Sequence, residues 1–193
     1  MEVSVGQLRR GLQVFMRVCA SCHSLALLRP ADLVGLRYSR KQALAVLRRR
    51  KHSAYLELPY ASKAQARRAN NGVVPPDLSL VVKRASKSYV YNVLTGYTPG
   101  LARTPDNLYY NRGFELGVTA MRPPLARGLI RYAPTVPATV RQYARDVAEF
   151  LVWVSEPWRA LRLRLAWPSL VVLGMATVLA TAWMTACLDH PID

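Results

Sequence analysis

Acidic side chains and cysteines are scarce in this sequence of 193 residues. There are 11 Asp and Glu residues against 27 Lys and Arg, which gives a formal net charge of +16. Three cysteines are too few for a disulfide-dense mini-domain or for a metal site built from four thiolates. Hydrophobic residues make up 51% of the chain, which is too large a share for a disordered basic tail. The length suits one domain with a core and an appendage.

The positive charge is concentrated in residues 1–158, which hold 24 basic and 9 acidic side chains. Residues 37–51 alone contain seven basic residues and no acidic one. Such a run is most often a solvated helix face, and the alternative is a surface for phosphate, anionic lipid or an acidic protein. No zinc-finger spacing or aromatic RNA-binding stretch accompanies it, so nucleic acid is not an expected partner.

An uncharged stretch runs from Leu165 to Leu188. At about 1.5 Å per residue it spans the roughly 30 Å of a bilayer's hydrocarbon, so we expect a transmembrane helix that contacts lipid rather than a buried core helix. Pro168 suits the first turn of that helix. The positive-inside rule would keep the N-terminal part of the chain on the side that retains positive charge.

The pattern of apolar and helix-breaking residues predicts helices over residues 6–20, 40–50 and 61–70, one that Asp77 caps and that runs to about residue 94, and one over 139–156. Residues 95–137 are rich in Gly, Pro, Asn and Tyr and predict a long irregular stretch. Such a stretch is unusual in a compact domain and needs something to pack against, such as a large cofactor. The fold class is therefore mainly α, with a head over residues 1–158 and an anchor over 159–193.

The segment Cys19-Ala-Ser-Cys22-His23 has the C-x-x-C-H spacing of covalent c-type haem attachment. Two thiols three residues apart on a helical turn reach both vinyl groups on one edge of a porphyrin, and the adjacent imidazole becomes the proximal iron ligand. A zinc half-site and a thioredoxin-like redox pair are the alternatives. The zinc site lacks its other half, since Cys187 lies in the predicted membrane span, and the redox pair lacks a βαβ context.

A haem iron that only transfers electrons needs a sixth ligand. His52 stands in a basic run, His190 lies beyond the predicted span, and the other methionines lie at the N-terminus, on the attachment helix or in the span. Met121 remains as the preferred ligand, in an Ala-Met-Arg-Pro-Pro loop that the prolines stiffen. A thioether ligand would raise the reduction potential relative to two nitrogen ligands.

These motifs resemble the cytochrome c1 family, the haem c subunits of the ubiquinol–cytochrome c reductase (bc1) complex. The most specific block is Asn70-Asn-Gly-Val-Val-Pro-Pro-Asp-Leu-Ser79, and the resemblance covers nearly the whole chain. It implies a cytochrome c-type haem-binding head in which Cys19 and Cys22 hold haem c while His23 and Met121 ligate the iron.

The resemblance also implies a set of residues that line the haem pocket. They are Asn70, Val73, Pro75, Pro76, Val81, Phe114 and Pro124. Arg103 is expected to substitute for the family's haem-contacting arginine, which would fall near Pro105. Arg122 departs from the small or apolar residue that is usual after the methionine, and its charge could touch a haem propionate or raise the potential.

By the same resemblance, the head takes an electron from the Rieske iron–sulfur protein and passes it to a soluble cytochrome c. The anchor is expected to pack against cytochrome b in a dimeric complex of the mitochondrial inner membrane, with the head in the intermembrane space. A bacterial inner membrane with a periplasmic head is the alternative. Covalent haem attachment occurs on the intermembrane-space or periplasmic side of the membrane. This argument outweighs the positive-inside rule, which would place the head on the opposite side. Because this head is basic where the family's heads carry acidic stretches, we expect an acidic, hinge-type accessory subunit or a less basic cytochrome.

Two other classes of function remain open from the sequence. A membrane-anchored haem c subunit of a terminal oxidase would share the C-x-x-C-H motif but not the Asn-Asn-Gly-x-x-Pro-Pro block. A basic membrane anchor without redox chemistry would bind lipid or nucleic acid. No acid–base or nucleophilic constellation is visible, so any enzymatic activity would belong to the complex.

Overall fold

The computed structural model describes residues 3–47, 59–101 and 103–189. This part of the chain is mainly helical, as expected. Its helices are α1 Val5–Arg17, α2 Arg40–Val46, α3 Lys63–Ala69, α4 Val81–Thr95, α5 Val140–Ser155 and α6 Arg159–Asp189, and one antiparallel pair joins β1 Tyr109–Tyr110 to β2 Val118–Thr119. Short 3-10 turns occupy Cys19–Ser21, Pro30–Leu36 and Pro99–Leu101. The chain divides into two compact units between Glu156 and Pro157.

Four of the predicted helices are confirmed with small shifts at their ends, as α1, α2, α3 and α5. Residues 48–50 of the helix predicted over residues 40–50 lie outside the described residues. Each of the four begins after a Ser or Thr whose hydroxyl accepts a hydrogen bond from a backbone N–H three residues on; these caps are Ser4, Ser39, Ser62 and Thr139. The caps satisfy N–H groups that have no partner within the helix, which explains where these helices start.

Helices α1 and α5 pack closely and form the centre of the first unit. Leu12, Phe15 and Phe150 are fully buried between them, and the two phenylalanine rings lie 6.2 Å apart between centroids. Gly11 permits this close approach, because a Cβ atom there would lie 2.1 Å from the backbone oxygen of Asp146. The contact buries large apolar side chains, so it contributes much of the free energy of folding.

A buried ion pair joins the same two helices. Arg10 Nε and Nη2 donate to the two carboxylate oxygens of Asp146 at 2.9 and 3.2 Å, and the carboxylate is fully buried. Gln142 Nε2 donates to the same carboxylate at 2.9 Å. The hydrogen bond from Arg10 to Asp146 raises the pKa of Arg10. Loss of either partner would leave an unpaired charge in the core, so the pair fixes how α1 lies on α5.

The expectation that Asp77 caps the fourth helix is wrong. Helix α4 begins beyond it, and the Asp77 carboxylate instead accepts hydrogen bonds from Ser24 Oγ at 2.6 Å and Ala26 N at 2.7 Å. Donors from a distant loop compete for the carboxylate, which sequence spacing cannot reveal. Helix α4 also bends at Ser86, where φ is 71°, and the Ser86 hydroxyl accepts from Tyr89 N at 3.2 Å to cap the second half.

The irregular stretch after α4 is present as expected, and the short β1–β2 hairpin within it was not predicted. Side chains attach it to the helices. Buried Asn111 donates from Nδ2 to Val93 O on α4 at 2.8 Å. The Tyr143 hydroxyl on α5 donates to Ile130 O at 2.6 Å and accepts from Ile130 N at 3.1 Å. Hydrogen bonds to α4 and α5 therefore order the loop where it has no repeating structure of its own.

Helix α6 is long and apolar enough to cross a membrane by length and composition. Its segment Leu161–Leu188 has a mean hydropathy of 1.9 and side chains that are exposed throughout. Pro168 lies inside the helix and not in its first turn, so that expectation is wrong. The helix starts earlier, in the arginine-containing segment, and continues through the proline although the ring removes one backbone donor.

Candidate functional site

The C-x-x-C-H residues follow α1, where the chain tightens into the 3-10 turn Cys19–Ser21. The backbone N–H groups of Cys22 and His23 both donate to Cys19 O, at 3.0 and 2.8 Å. Burial raises the pKa of the Cys19 thiol to about 12, so this thiol is protonated at neutral pH. Both thiols are free, and the turn places them on one short segment with the imidazole.

The His23 ring is oriented by the loop that follows α3. Its Nδ1 lies 2.8 Å from Pro76 O. A carbonyl oxygen only accepts, so Nδ1 carries the proton and Nε2 keeps its lone pair. Burial lowers the pKa of His23, which favours the neutral ring. A bond from Nδ1–H to a carbonyl is typical of metal-ligating histidines, and a neutral imidazole next to two thiols fits a covalently attached haem.

The loop that carries Pro76 is held against the attachment segment by Asp77. The carboxylate accepts from Ser24 Oγ, from Ala26 N and, at 2.9 Å, from Ser79 N. Burial by itself would raise the pKa of Asp77, but these hydrogen bonds outweigh it and the pKa lies below its ordinary value. Asp77 therefore stabilises the position of the carbonyl that orients His23.

Replacing Asp77 by Asn should lower the free energy of unfolding by about 1–3 kcal/mol, because donors in the loop lose a charged acceptor. A lowered carboxylate pKa stabilises the fold above the ordinary value of 3.8, and that stabilisation is lost as the pH falls through the folded value. The difference between wild type and variant should therefore shrink near pH 3. Urea unfolding at neutral and acidic pH measures it, with exposed Asp106→Asn as the control; an equal loss in both variants would contradict the assignment.

A chain of polar contacts runs from the attachment segment to Asn70. Asn70 Nδ2 donates to Tyr60 OH at 2.9 Å and to Ala66 O at 2.7 Å. Interaction with the nearby Cys22 thiol raises the pKa of Tyr60. Asn70 thus lies next to Tyr60, and its role as a haem-pocket residue stays a prediction. Tyr60 was missed, since neither a motif nor a periodic pattern marks its position.

The next residue, Asn71, connects this block to the loop that contains Met121. Asn71 Nδ2 lies 3.3 Å from Asn107 O and 3.5 Å from Ala120 O. Its φ of 48° is in the left-handed region, which Asn adopts more readily than most residues. The Asn70-Asn71 dipeptide therefore reaches both the attachment segment and the chain just before Met121, and this second role was not predicted.

The backbone of Met121 is held on both sides. Tyr97 OH donates to Met121 O at 3.0 Å, and Met121 N donates to Thr119 Oγ1 at 3.2 Å. Burial raises the pKa of Tyr97, so its hydroxyl stays protonated and can donate. The methionine is half-buried. Its assignment as an iron ligand stays a prediction, and the structure supplies a fixed backbone from which the thioether could extend.

The remaining predicted pocket residues differ in their environments. Pro75 is buried, and Val81 packs against the core at the start of α4. Phe114 is half-buried, with its ring centroid 6.4 Å from that of Tyr89. Pro124 is half-buried and Val73 is exposed. Their roles as haem contacts stay predictions, and an exposed valine next to the site would have apolar surface available to a bound group.

Arg103 and Arg122 both lie at the surface. The Arg103 guanidinium is 4.6 Å from the centre of the Tyr109 ring and hydrogen-bonds the Asn107 side chain. Its predicted contact with a haem stays untested, as does that of Arg122. His52 and His190, the other candidate sixth ligands, lie outside the described residues. Among residues 3–47, 59–101 and 103–189, no three His, Cys, Asp or Glu side chains form a group that could hold a metal ion.

Comparison with known proteins defines the class as haem proteins of the cytochrome c1 type. A model of the Cytochrome C1 family matches residues 2–190, and the chain belongs to that family. It is 36% identical over 194 residues to "Cytochrome c1, heme protein, mitochondrial" of Schizosaccharomyces pombe, covering 90% of this chain and 63% of the relative. The resemblance seen in the motifs is thus confirmed.

Two further relatives agree. "Cytochrome c1-1, heme protein, mitochondrial" of Solanum tuberosum is 36% identical over 194 residues, with 90% of this chain and 61% of the relative covered. "Cytochrome b-c1 complex catalytic subunit, mitochondrial" of Candida albicans is 36% identical over 207 residues, with 96% and 72% covered. The chain spans less than two thirds of the length of the Schizosaccharomyces and Solanum relatives.

Proposed function

We propose that this chain is an electron-transfer subunit that holds haem c through thioether bonds from Cys19 and Cys22, with His23 and Met121 as the axial iron ligands. The single observation that carries the proposal is the contact between His23 Nδ1 and Pro76 O at 2.8 Å. It leaves Nε2 free on a neutral imidazole, directly after two free thiols.

When bound, the haem supplies a one-electron iron couple. The chain's own residues bind and orient it: the 3-10 turn after α1 presents the thiols, Pro76 sets the imidazole, and Asn71 with Tyr97 holds the backbone around Met121. A thioether from Met121 would favour the reduced iron more than a second imidazole does. Such a potential suits donation to a soluble cytochrome c late in a respiratory chain.

The relatives' names and the apolar helix α6 support a proposal for the assembly. One relative is named as the catalytic subunit of a cytochrome b-c1 complex, and several are named as mitochondrial. We therefore place the chain in a dimeric bc1 complex of the mitochondrial inner membrane, anchored by α6 beside cytochrome b. In that setting the head lies in the intermembrane space, the Rieske protein supplies the electron and a soluble cytochrome c receives it.

Replacing Cys19 and Cys22 together by Ser should abolish covalent haem attachment, because a hydroxyl cannot replace the thiol that forms the thioether. Pyridine haemochrome spectra after acid–acetone extraction measure the remaining bound haem. The matched control is Cys187→Ser, which removes the third cysteine, located in α6. We expect the control to retain its haem at the wild-type level.

Colourless wild-type protein after extraction, with both thiols reactive, would contradict the proposed function. Co-purification decides between the complexes. A bc1 subunit should be isolated with a cytochrome b and a Rieske protein, whereas a terminal-oxidase subunit should be isolated with oxidase components.

A further inference from the structure

We propose that the soluble electron carrier of this protein docks through an acidic face onto four arginines beside Met121. This inference rests on the proposed function and adds the chemical class of the partner. The four residues, called the arginine rim below, are Arg67, Arg68, Arg103 and Arg122. The side chains of all four are exposed.

Backbone and side-chain contacts bring the rim together from three separate segments. Arg67 and Arg68 lie in the last turn of α3, and Arg67 O accepts from Gly72 N at 2.9 Å, so α3 leads directly into the block that contains Asn71. Asn71 Nδ2 in turn lies 3.3 Å from Asn107 O and 3.5 Å from Ala120 O.

Arg103 hydrogen-bonds the Asn107 side chain, and Arg122 is two residues beyond Ala120. The contacts of Asn71 therefore bring the three segments that carry the four exposed arginines next to one another. A carrier docked there lies close to Met121, the proposed iron ligand. Electron transfer requires the carrier to come close to the haem, so docking beside this ligand suits the function.

Within the part of the chain that the structure describes, no carboxylate forms an ion pair with the rim. The ion pairs seen among the described residues use carboxylates elsewhere, in Arg10–Asp146, Arg29–Asp32, Lys83–Glu156 and Lys87–Glu149. No rim arginine forms an ion pair with another residue in the described part of the chain. Asp106, next to Asn107, is an exposed carboxylate in the same area, and it leaves the rim net positive.

A positive surface attracts a partner of opposite charge and raises its rate of association, by a factor of about 10 to 1,000 at low ionic strength. A basic carrier would be repelled from the same surface. Guanidinium groups also pair with carboxylates through two parallel hydrogen bonds, so Asp and Glu side chains suit the rim well. In the transfer itself, one electron leaves the reduced haem, which becomes ferric, and reduces the oxidised metal centre of the carrier.

The test uses the purified complex containing the full haem-loaded chain. The probes are one strongly basic soluble cytochrome c and the same protein after succinylation, which converts its lysine ammonium groups to carboxylates. Carrier binding and the rate of carrier reduction are measured over a series of KCl concentrations. We expect the succinylated form to bind more tightly and to react about tenfold faster at low salt, with the advantage disappearing as salt screens the charges.

The charge-reversal variant Arg67→Glu, Arg68→Glu, Arg122→Glu should reverse this preference. Arg103 is left unchanged because its guanidinium also packs on the Tyr109 ring. The matched control is Arg40→Glu, Lys41→Glu, Arg141→Glu, which makes the same change in net charge at exposed positions in the first turns of α2 and α5. Acidic residues are favourable in first helical turns, so the control should fold.

Equal effects of the two triple variants would overturn the proposal, since net charge and not the rim would then control docking. Preference of the unmodified basic cytochrome, unaffected by the rim variant, would also overturn it and would place docking on an acidic subunit. A rim variant that loses only its affinity for phosphatidylcholine–cardiolipin vesicles would assign the rim to lipid. A haemochrome spectrum that shows no covalently bound haem in the wild-type chain would contradict the proposed function instead. The measurement of carrier binding would still test the rim.

Discussion

Replacing Met121 by Leu is expected to lower the reduction potential of the haem by a few tenths of a volt, on the order set by axial-ligand identity, while the haem stays attached. Leu has a similar volume and no sulfur, so it fills the position without donating to iron. The backbone contacts to Tyr97 and Thr119 do not involve the side chain and should persist. Potentiometric titration of the reduced absorption band measures the shift.

Met16→Leu is the matched control, because Met16 packs against the core at the end of α1 and is not a proposed ligand. Its potential should equal that of wild type. If Met121→Leu also leaves the potential and the spectrum unchanged, Met121 is not the sixth ligand. His52, outside the described residues, would then be the next candidate to replace.

Replacing Gly11 by Val is expected to reduce the free energy of unfolding by about 3 kcal/mol or more. A Cβ atom at Gly11 would lie 2.1 Å from Asp146 O and 2.5 Å from Phe150 Cβ, which forces α1 away from α5. The displacement also strains the buried pair between Arg10 and Asp146. Thermal unfolding of the haem-loaded chain in detergent, followed by circular dichroism, measures the effect.

The same helix offers a control in Gly6→Ala. The nearest atoms to a Cβ at Gly6 are Ser4 Oγ at 3.8 Å and Arg10 Nη1 at 4.0 Å, so a methyl group fits. Its unfolding temperature should match or slightly exceed that of wild type, because Ala favours helix over Gly. A Gly11→Val variant as stable as Gly6→Ala would contradict the close packing of α1 on α5.

The helices show which structural features can be predicted from patterns among neighbouring residues. Four helix positions were predicted well, because the apolar spacing and the helix-breaking residues are properties of neighbouring residues. The start of α4 was misplaced, because Asp is a favoured N-cap residue and Asp77 was predicted as the cap. Its carboxylate instead accepts hydrogen bonds from Ser24 and Ala26, more than fifty residues away in the sequence. Tertiary hydrogen bonds thus overrode a local preference.

In the candidate site, too, some features were predictable from the sequence and others were visible only in the folded chain. The spacing of Cys19, Cys22 and His23 was visible in the sequence because the chemistry requires these residues to be adjacent. The orientation of His23 depends on Pro76, and the placement of Met121 depends on Asn71 and contacts of Tyr97 across the fold. Hydrogen bonds between distant segments leave no periodic signal, so only the folded chain shows them.

Residue identity over short spans fixes the reactive groups that the chain offers and the length of its apolar helix. Long-range contacts fix which nitrogen of His23 is free, which carboxylates form ion pairs, and which arginines have no carboxylate partner among the described residues. The Arg10–Asp146 pair, 136 residues apart, illustrates the reason. Charge can be counted along a chain, but its neutralisation depends on which side chains folding brings within hydrogen-bond distance.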